Sequence, residues 1–362
     1  MSEHTKLHFH TGPDLVLESG AVLAAPVTAY RCLGRLNADG SNAVLVLHGY
    51  TTGPTMLDPE AHAAEGSWGE LVGPGKPIDS NRYFVVCPNM LGSCYGSTGP
   101  GSIDPATGSP YGTAFPDLSV ADIVAVQKDL LGALGVKRLA AVTGPSFGAY
   151  QSFQWAVSHP GMIDRVIAAV GAPWHPGAPG TAQAILESLA ADPGWPAWVA
   201  GQRDAMFPKL VAMRTDTLSK YGVDVELAQQ FPDPEVRAAE VGRLAREWAA
   251  AFDPMSLVVL MRAAESFDVR GQLDAIRAPV LYVLSRTDPM FSPALAREVA
   301  QALAALPGTD NWSYVELDSE KGHFASGADA ALWAEDLRRF METSPAAWVP
   351  TGFDALDTEV AA

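Results

Sequence analysis

Gly144-Pro145-Ser146-Phe147-Gly148 places a hydroxyl where it could attack a carbonyl carbon. Before it, Leu139-Ala140-Ala141-Val142-Thr143 reads as a buried strand; after it, Ala149-Tyr150-Gln151-Ser152-Phe153-Gln154-Trp155-Ala156-Val157 has helical character. A serine between small residues at a sharp strand-to-helix turn is a nucleophile elbow. The flanking glycines are a steric requirement, because side chains there would collide with the adjoining strand and helix. The first amides of the helix also turn partial positive charge toward an anion forming beside the Ser146 oxygen.

A serine hydroxyl is a weak nucleophile and needs a base, itself oriented by a carboxylate. Asp288, in Arg286-Thr287-Asp288-Pro289-Met290-Phe291, follows an apolar run over residues 280–285. That is where parallel sheets build their sites, just past the carboxyl end of a strand. His323, in Asp318-Ser319-Glu320-Lys321-Gly322-His323-Phe324, follows the last expected strand in a loop from which an imidazole can project. Among the other histidines, His4, His8 and His10 lie near the N-terminus, His62 and His159 read as surface positions, and His175 precedes Asp288. Ser146, Asp288 and His323 stand in the chain order of an α/β-hydrolase. The oxyanion needs two N–H donors. Phe147, directly after the nucleophile, supplies one. The loop His48-Gly49-Tyr50-Thr51-Thr52-Gly53 supplies the other through Tyr50, with Thr51 close behind.

These side chains need a scaffold, and the rest of the chain describes one. Apolar runs over 43–48, 83–88, 139–143, 165–171, 280–285 and 313–317 read as strands, and residues 14–35 as an antiparallel hairpin. Helical spacing over 118–134 starts at a capping box, Ser119 with Asp122; further helices are expected over 293–306 and 329–343. The alternation predicts an α/β-hydrolase fold, a mostly parallel central sheet flanked by helices. Residues 174–268 hold no convincing strand and read as an inserted helical cap. The expected core therefore comes in two parts, 1–173 and 269–362.

Composition narrows the class. The 362 residues are 48% hydrophobic and 18% charged, with 24 Lys+Arg against 41 Asp+Glu, a net charge of −17. Such acidity works against nucleic acid and anionic membranes as partners. No stretch approaches the roughly 18 uninterrupted apolar residues of a membrane span, and the first residues lack the apolar run of a signal peptide. Three cysteines, Cys32, Cys87 and Cys94, form no C-x-x-C pair, so neither a disulfide framework nor a metal site is expected, and a cytoplasmic setting is. The chemistry of the three site residues calls for no cofactor.

Longer motifs carry a more specific likeness. They include the run over 71–86, with Asp79-Ser80-Asn81-Arg82-Tyr83-Phe84-Val85-Val86, and Asn89-Met90-Leu91-Gly92-Ser93-Cys94-Tyr95-Gly96-Ser97-Thr98-Gly99-Pro100. Asp104-Pro105-Ala106-Thr107-Gly108, Gln154-Trp155-Ala156 after the elbow, and Tyr314-Val315-Glu316-Leu317-Asp318-Ser319 before Gly322-His323 complete the set. Together these resemble the homoserine O-acetyltransferases from about residue 40 to 330, least in the cap. The resemblance implies a Ser146-Asp288-His323 triad, a helical lid, a ping-pong acyl-enzyme mechanism and a homodimer packed through the cap.

Departures from that family favour a different acceptor. The transferases carry Gly-Gly-Ser-Met-Gly-Gly at the elbow and an acidic residue directly after the histidine, thought to hold the homoserine amino group; here that position is Phe324. An ammonium buried without a counter-charge would lose several kcal/mol of hydration. Phe324, Met290, Phe147 and Tyr50 suggest an apolar pocket instead. Arg214 and Tyr221 have a spacing similar to a lid Arg/Tyr pair of the transferases, although a solvated helix arginine is the plainer reading of Arg214. The expectation is a serine carboxylesterase acting on a small, short-chain ester, an acetate ester foremost, with an O-acetyltransferase moving acetyl from acetyl-CoA to homoserine or another hydroxyl compound as the alternative.

Overall fold

Short runs of Val, Leu and Ala build one eight-stranded sheet in this computed structural model, which describes residues 6–58, 61 and 66–353. The strands are β1 (His8–Thr11), β2 (Val27–Leu33), β3 (Ala43–Val46), β4 (Phe84–Pro88), β5 (Leu139–Pro145), β6 (Val166–Ala169), β7 (Val280–Ser285) and β8 (Trp312–Leu317). Their spatial order is β1-β2-β4-β3-β5-β6-β7-β8. β2 pairs antiparallel with both β1 and β4, and all other pairs are parallel. Strands β3 to β7 are buried along their whole length, which is why they read as continuous apolar runs rather than alternating ones.

The hairpin expected over 14–35 is divided. Leu15–Val16 and Val22–Leu23 form a separate small ladder, while β2 joins the main sheet. Ala25, at a φ of +42°, and Pro26, which has no N–H to donate, redirect the chain between them. His62, expected at the surface, lies outside the described residues.

Helix α1 (Val120–Ala133) opens on its capping box: the Ser119 hydroxyl accepts from the Asp122 amide at 3.1 Å, and the Asp122 carboxylate accepts from the Ser119 amide at 2.9 Å. Helix α2 (Phe147–Ser158) follows β5 directly. Between β6 and β7 the chain runs through α3 (Thr181–Ala190), α4 (Trp195–Val199), α5 (Phe207–Tyr221), α6 (Val223–Ala228), α7 (Pro234–Ala251) and α8 (Pro254–Glu265). A lone bridge between Trp174 and Asp268 joins the two ends of this helical cap. The cap has its own apolar cluster, including Trp198, Leu210, Trp248 and Phe252, and Tyr50 of the core packs against it.

Helix α9 (Ala294–Ala304) separates β7 from β8, and α10 (Ala325–Ala328) and α11 (Ala334–Glu342) close the chain. The helix expected over 329–343 starts late, because the buried Trp333 donates its indole N–H to the Ser326 carbonyl at 2.9 Å and pins short turns in place of a regular helix. Among the described residues, no helix is long and apolar enough to cross a membrane. All three cysteines are free.

Candidate active site

Ser146 stands between β5 and α2 with φ +58° and ψ −121°, a backbone conformation that L-residues avoid unless their surroundings enforce it. Three glycines make it possible. A Cβ on Gly144 would lie 2.2 Å from the Leu47 carbonyl oxygen, and one on Gly148 2.1 Å from the same atom. One on Gly171 would lie 2.4 Å from the Ala149 Cβ. The Ser146 amide donates to the Ala169 carbonyl at 2.9 Å, tying the elbow to β6. Ala149 and Tyr150 turn their amides back onto the Ser146 carbonyl, which leaves the Phe147 amide at the head of α2, where no intrahelical acceptor exists.

Asp288 lies just past β7, 2% exposed. Its Oδ1 accepts from the amides of Met290 (2.9 Å) and Phe291 (3.2 Å), and its Oδ2 from His323 Nδ1 at 2.7 Å. Burial pushes the carboxyl pKa up; attraction to His323, the hydrogen bond from it and the two amides outweigh this and hold the group below the usual value. An ionised carboxylate only accepts, so Nδ1 carries the proton and Nε2 is left to act as a base. Thr287 fastens the two loops together: its hydroxyl donates to the Ser319 carbonyl at 2.8 Å and accepts from the Gly322 amide at 3.1 Å. Phe291 stacks on the imidazole at 5.6 Å, and Tyr221 tilts against it at 5.0 Å.

Ser146 and His323 line one narrow cavity of about 50 Å³, together with Tyr50, Thr51, Arg214, Tyr221 and Phe324. Gly49, in the loop after β3, comes close enough that a Cβ on it would lie 3.7 Å from the Ser146 Cβ. That puts the Gly49–Tyr50 peptide beside the nucleophile.

Three expectations need correction. Arg214 is not a solvated helix residue but 2% exposed: its guanidinium donates to Thr51 Oγ1 at 2.9 Å and lies over the Trp248 ring at 5.1 Å. The Trp248 indole donates to the Thr51 carbonyl at 2.9 Å, so α5 and α7 together clasp the loop after β3. Met290 does not line the cavity. It is 36% exposed, because the turn that wraps its amide onto Asp288 sends the side chain to solvent. The Phe147 ring, for its part, packs against Tyr50 and Tyr150 rather than lining the cavity. Trp68, Ser67 and Ser326 also line the cavity. Nothing in their sequence neighbourhoods announces this, since no local pattern links them to the elbow.

The fold and this geometry are those of the α/β-hydrolases, and the family described as the alpha/beta hydrolase fold matches residues 42–328. The chain belongs to that family, in the branch of the homoserine O-acetyltransferases. It is 36% identical to the homoserine O-acetyltransferase of Symbiobacterium thermophilum over 91% of this chain and 92% of that one. To the homoserine O-succinyltransferase of Leptothrix cholodnii it is 34% identical, over 91% and 93%. The crystal structure of an esterase superposes with a TM-score of 0.81 at 25% identity, covering 93% of this chain and 100% of that one. The chain is an enzyme of acyl transfer or acyl hydrolysis.

Proposed function

We propose that the chain is a serine carboxylesterase for short acyl esters, acetate esters foremost. Ser146 Oγ attacks the ester carbonyl and gives its proton to His323 Nε2, while Asp288 holds the imidazole. The Tyr50 and Phe147 amides take the charge of the tetrahedral oxyanion. Collapse breaks the carbonyl–alkoxy bond, and the alcohol leaves with the proton from His323. Water then attacks the acyl-enzyme, His323 accepting its proton and returning it to Ser146 as the carboxylic acid departs. Phe324 carries the choice of water as acceptor: an aromatic ring lines the cavity directly after the base, and among the described residues no carboxylate does. An amino-acid acceptor would bring an ammonium into this space unpaired.

Arg214 favours a second reading. A guanidinium lining the cavity suits a substrate with a carboxylate, and the curated relatives are named as transferases to homoserine. The alternative is thus an O-acetyltransferase taking acetyl from acetyl-CoA to a hydroxyl compound. Hydrolysis of p-nitrophenyl acetate, measured beside acetyl-CoA turnover with and without homoserine, separates the two. Ester hydrolysis with no homoserine-dependent release of CoA is the expected result. The reverse pattern would sink the esterase reading.

A further inference from the structure

Beneath the two oxyanion amides lies a set of buried side chains that the acyl chemistry does not itself use. His48, two residues past β3, is fully buried. Its Nε2 is 3.1 Å from the Met90 amide, which can only donate, so Nε2 is the acceptor. Burial brings the imidazole pKa down to about 4, so the ring is neutral and its one proton sits on Nδ1. Nδ1 therefore donates to the Gly49 carbonyl, 2.9 Å away. That carbonyl shares a peptide unit with the Tyr50 amide, and in a planar trans peptide C=O and N–H point in opposite directions. Fixing the carbonyl on His48 thus fixes the direction of the Tyr50 N–H. Thr52 supports the same oxygen over longer contacts, 3.4 Å from its amide and 3.3 Å from its hydroxyl.

The second arm is held by a chain of amides whose orientation follows from one donor-only group. The Trp155 indole donates to Gln127 Oε1 at 2.8 Å. Gln127 must then present Nε2 to Gln151 Oε1, at 2.6 Å. Gln151 Nε2 is left facing the His48 carbonyl at 3.2 Å and the Phe147 carbonyl at 3.3 Å. One side-chain amide thereby bridges the residue before Gly49 and the first residue of α2. Gln127, Gln151 and Trp155 are all fully buried.

We infer that His48 and Gln151 are positioning residues for the oxyanion hole: His48 aims the Tyr50 amide, and Gln151 sets the spacing between that loop and the Phe147 amide. This rests on the serine chemistry proposed above. A preorganised donor is worth about 10²–10³ in rate, so misaiming one without removing it should cost part of that.

The test uses the full chain, p-nitrophenyl acetate as acyl donor and phenylboronic acid as a tetrahedral mimic of the intermediate, with thermal melts alongside. His48→Leu and Gln151→Met should each lower kcat roughly 10- to 100-fold with KM within about twofold, and weaken boronate binding by a similar factor. His48→Asn, which keeps an N–H near the position of Nδ1, should recover much of the loss. Folded variants with wild-type kcat and boronate affinity, or with a change in KM alone, overturn the inference. If His48→Leu fails to fold, Gln151→Met and His48→Asn decide the matter in the same assays. A wild-type protein no more active than Ser146→Ala would instead count against the serine chemistry itself.

Discussion

At Asp288, burial and attraction pull the pKa in opposite directions, and attraction wins: the carboxylate stays charged beside His323. Asp288→Asn keeps the shape but offers an amide N–H to Nδ1, which drives the imidazole into the wrong tautomer. We expect kcat to fall by about 10³–10⁴, with the melting temperature shifted by only a few degrees. Steady-state kinetics and a thermal melt check both. The residues of this cluster were legible in the sequence because Ser146, Asp288 and His323 each follow a strand, at the ends where parallel sheets place their chemistry. Arg214 was not. Its burial depends on Thr51, 163 positions away, and on Trp248 from another helix, contacts that no local pattern displays. Nearness to Asp288 in sequence likewise predicts Met290 in the cavity, yet the turn sends Met290 to solvent and buries Phe291 against the His323 ring.

The elbow is an element-scale device, since β5 and α2 can meet at Ser146 only if their neighbours stay out of the way. Gly148→Ala puts a methyl 2.1 Å from the Leu47 carbonyl, and backbone must move to admit it. Overpacking of this kind typically costs about 1–3 kcal/mol. Both stability and kcat should fall, because the displaced backbone carries the Phe147 amide; urea unfolding and ester kinetics report the two effects. A second junction joins cap and catalytic loop. Lys321, two residues before His323, pairs with Glu226 of α6 and with Asp329, each at 2.8 Å. Lys321→Met removes the tie. We expect kcat/KM to fall several-fold and hydrogen exchange to quicken over residues 318–328, while an unchanged exchange pattern would show the tie to be incidental. The strands were readable as apolar runs, but α11 was not placed correctly, because the anchor that delays it, Trp333 on Ser326, is a tertiary contact.

For the molecule as a whole, the buried histidine makes stability sensitive to acid. The pKa of His48 drops from 6.5 to about 4 in the folded chain. Below pH 6.5 the unfolded chain therefore takes up a proton that the native one refuses, and stability declines as pH falls toward 4. A shift of this size corresponds to roughly 3 kcal/mol. Asp288 adds a loss in the same direction at lower pH, since its depressed pKa favours the native state only while the carboxyl is ionised. Urea midpoints should fall between pH 6.5 and 4.5 in the wild type and less steeply in His48→Asn; parallel slopes would contradict the assignment. The homodimer through the cap stands as a proposal from family likeness, and light scattering on the purified protein should give twice the mass of one chain. The central claim, that Ser146 carries an acyl group and passes it to water, is tested most directly by rapid-quench peptide mapping after mixing with p-nitrophenyl acetate. The account predicts an acetyl group on the peptide containing Ser146, absent in Ser146→Ala, that clears at the turnover rate with no added acceptor. An adduct on another residue, or one that clears only when homoserine is supplied, would contradict it.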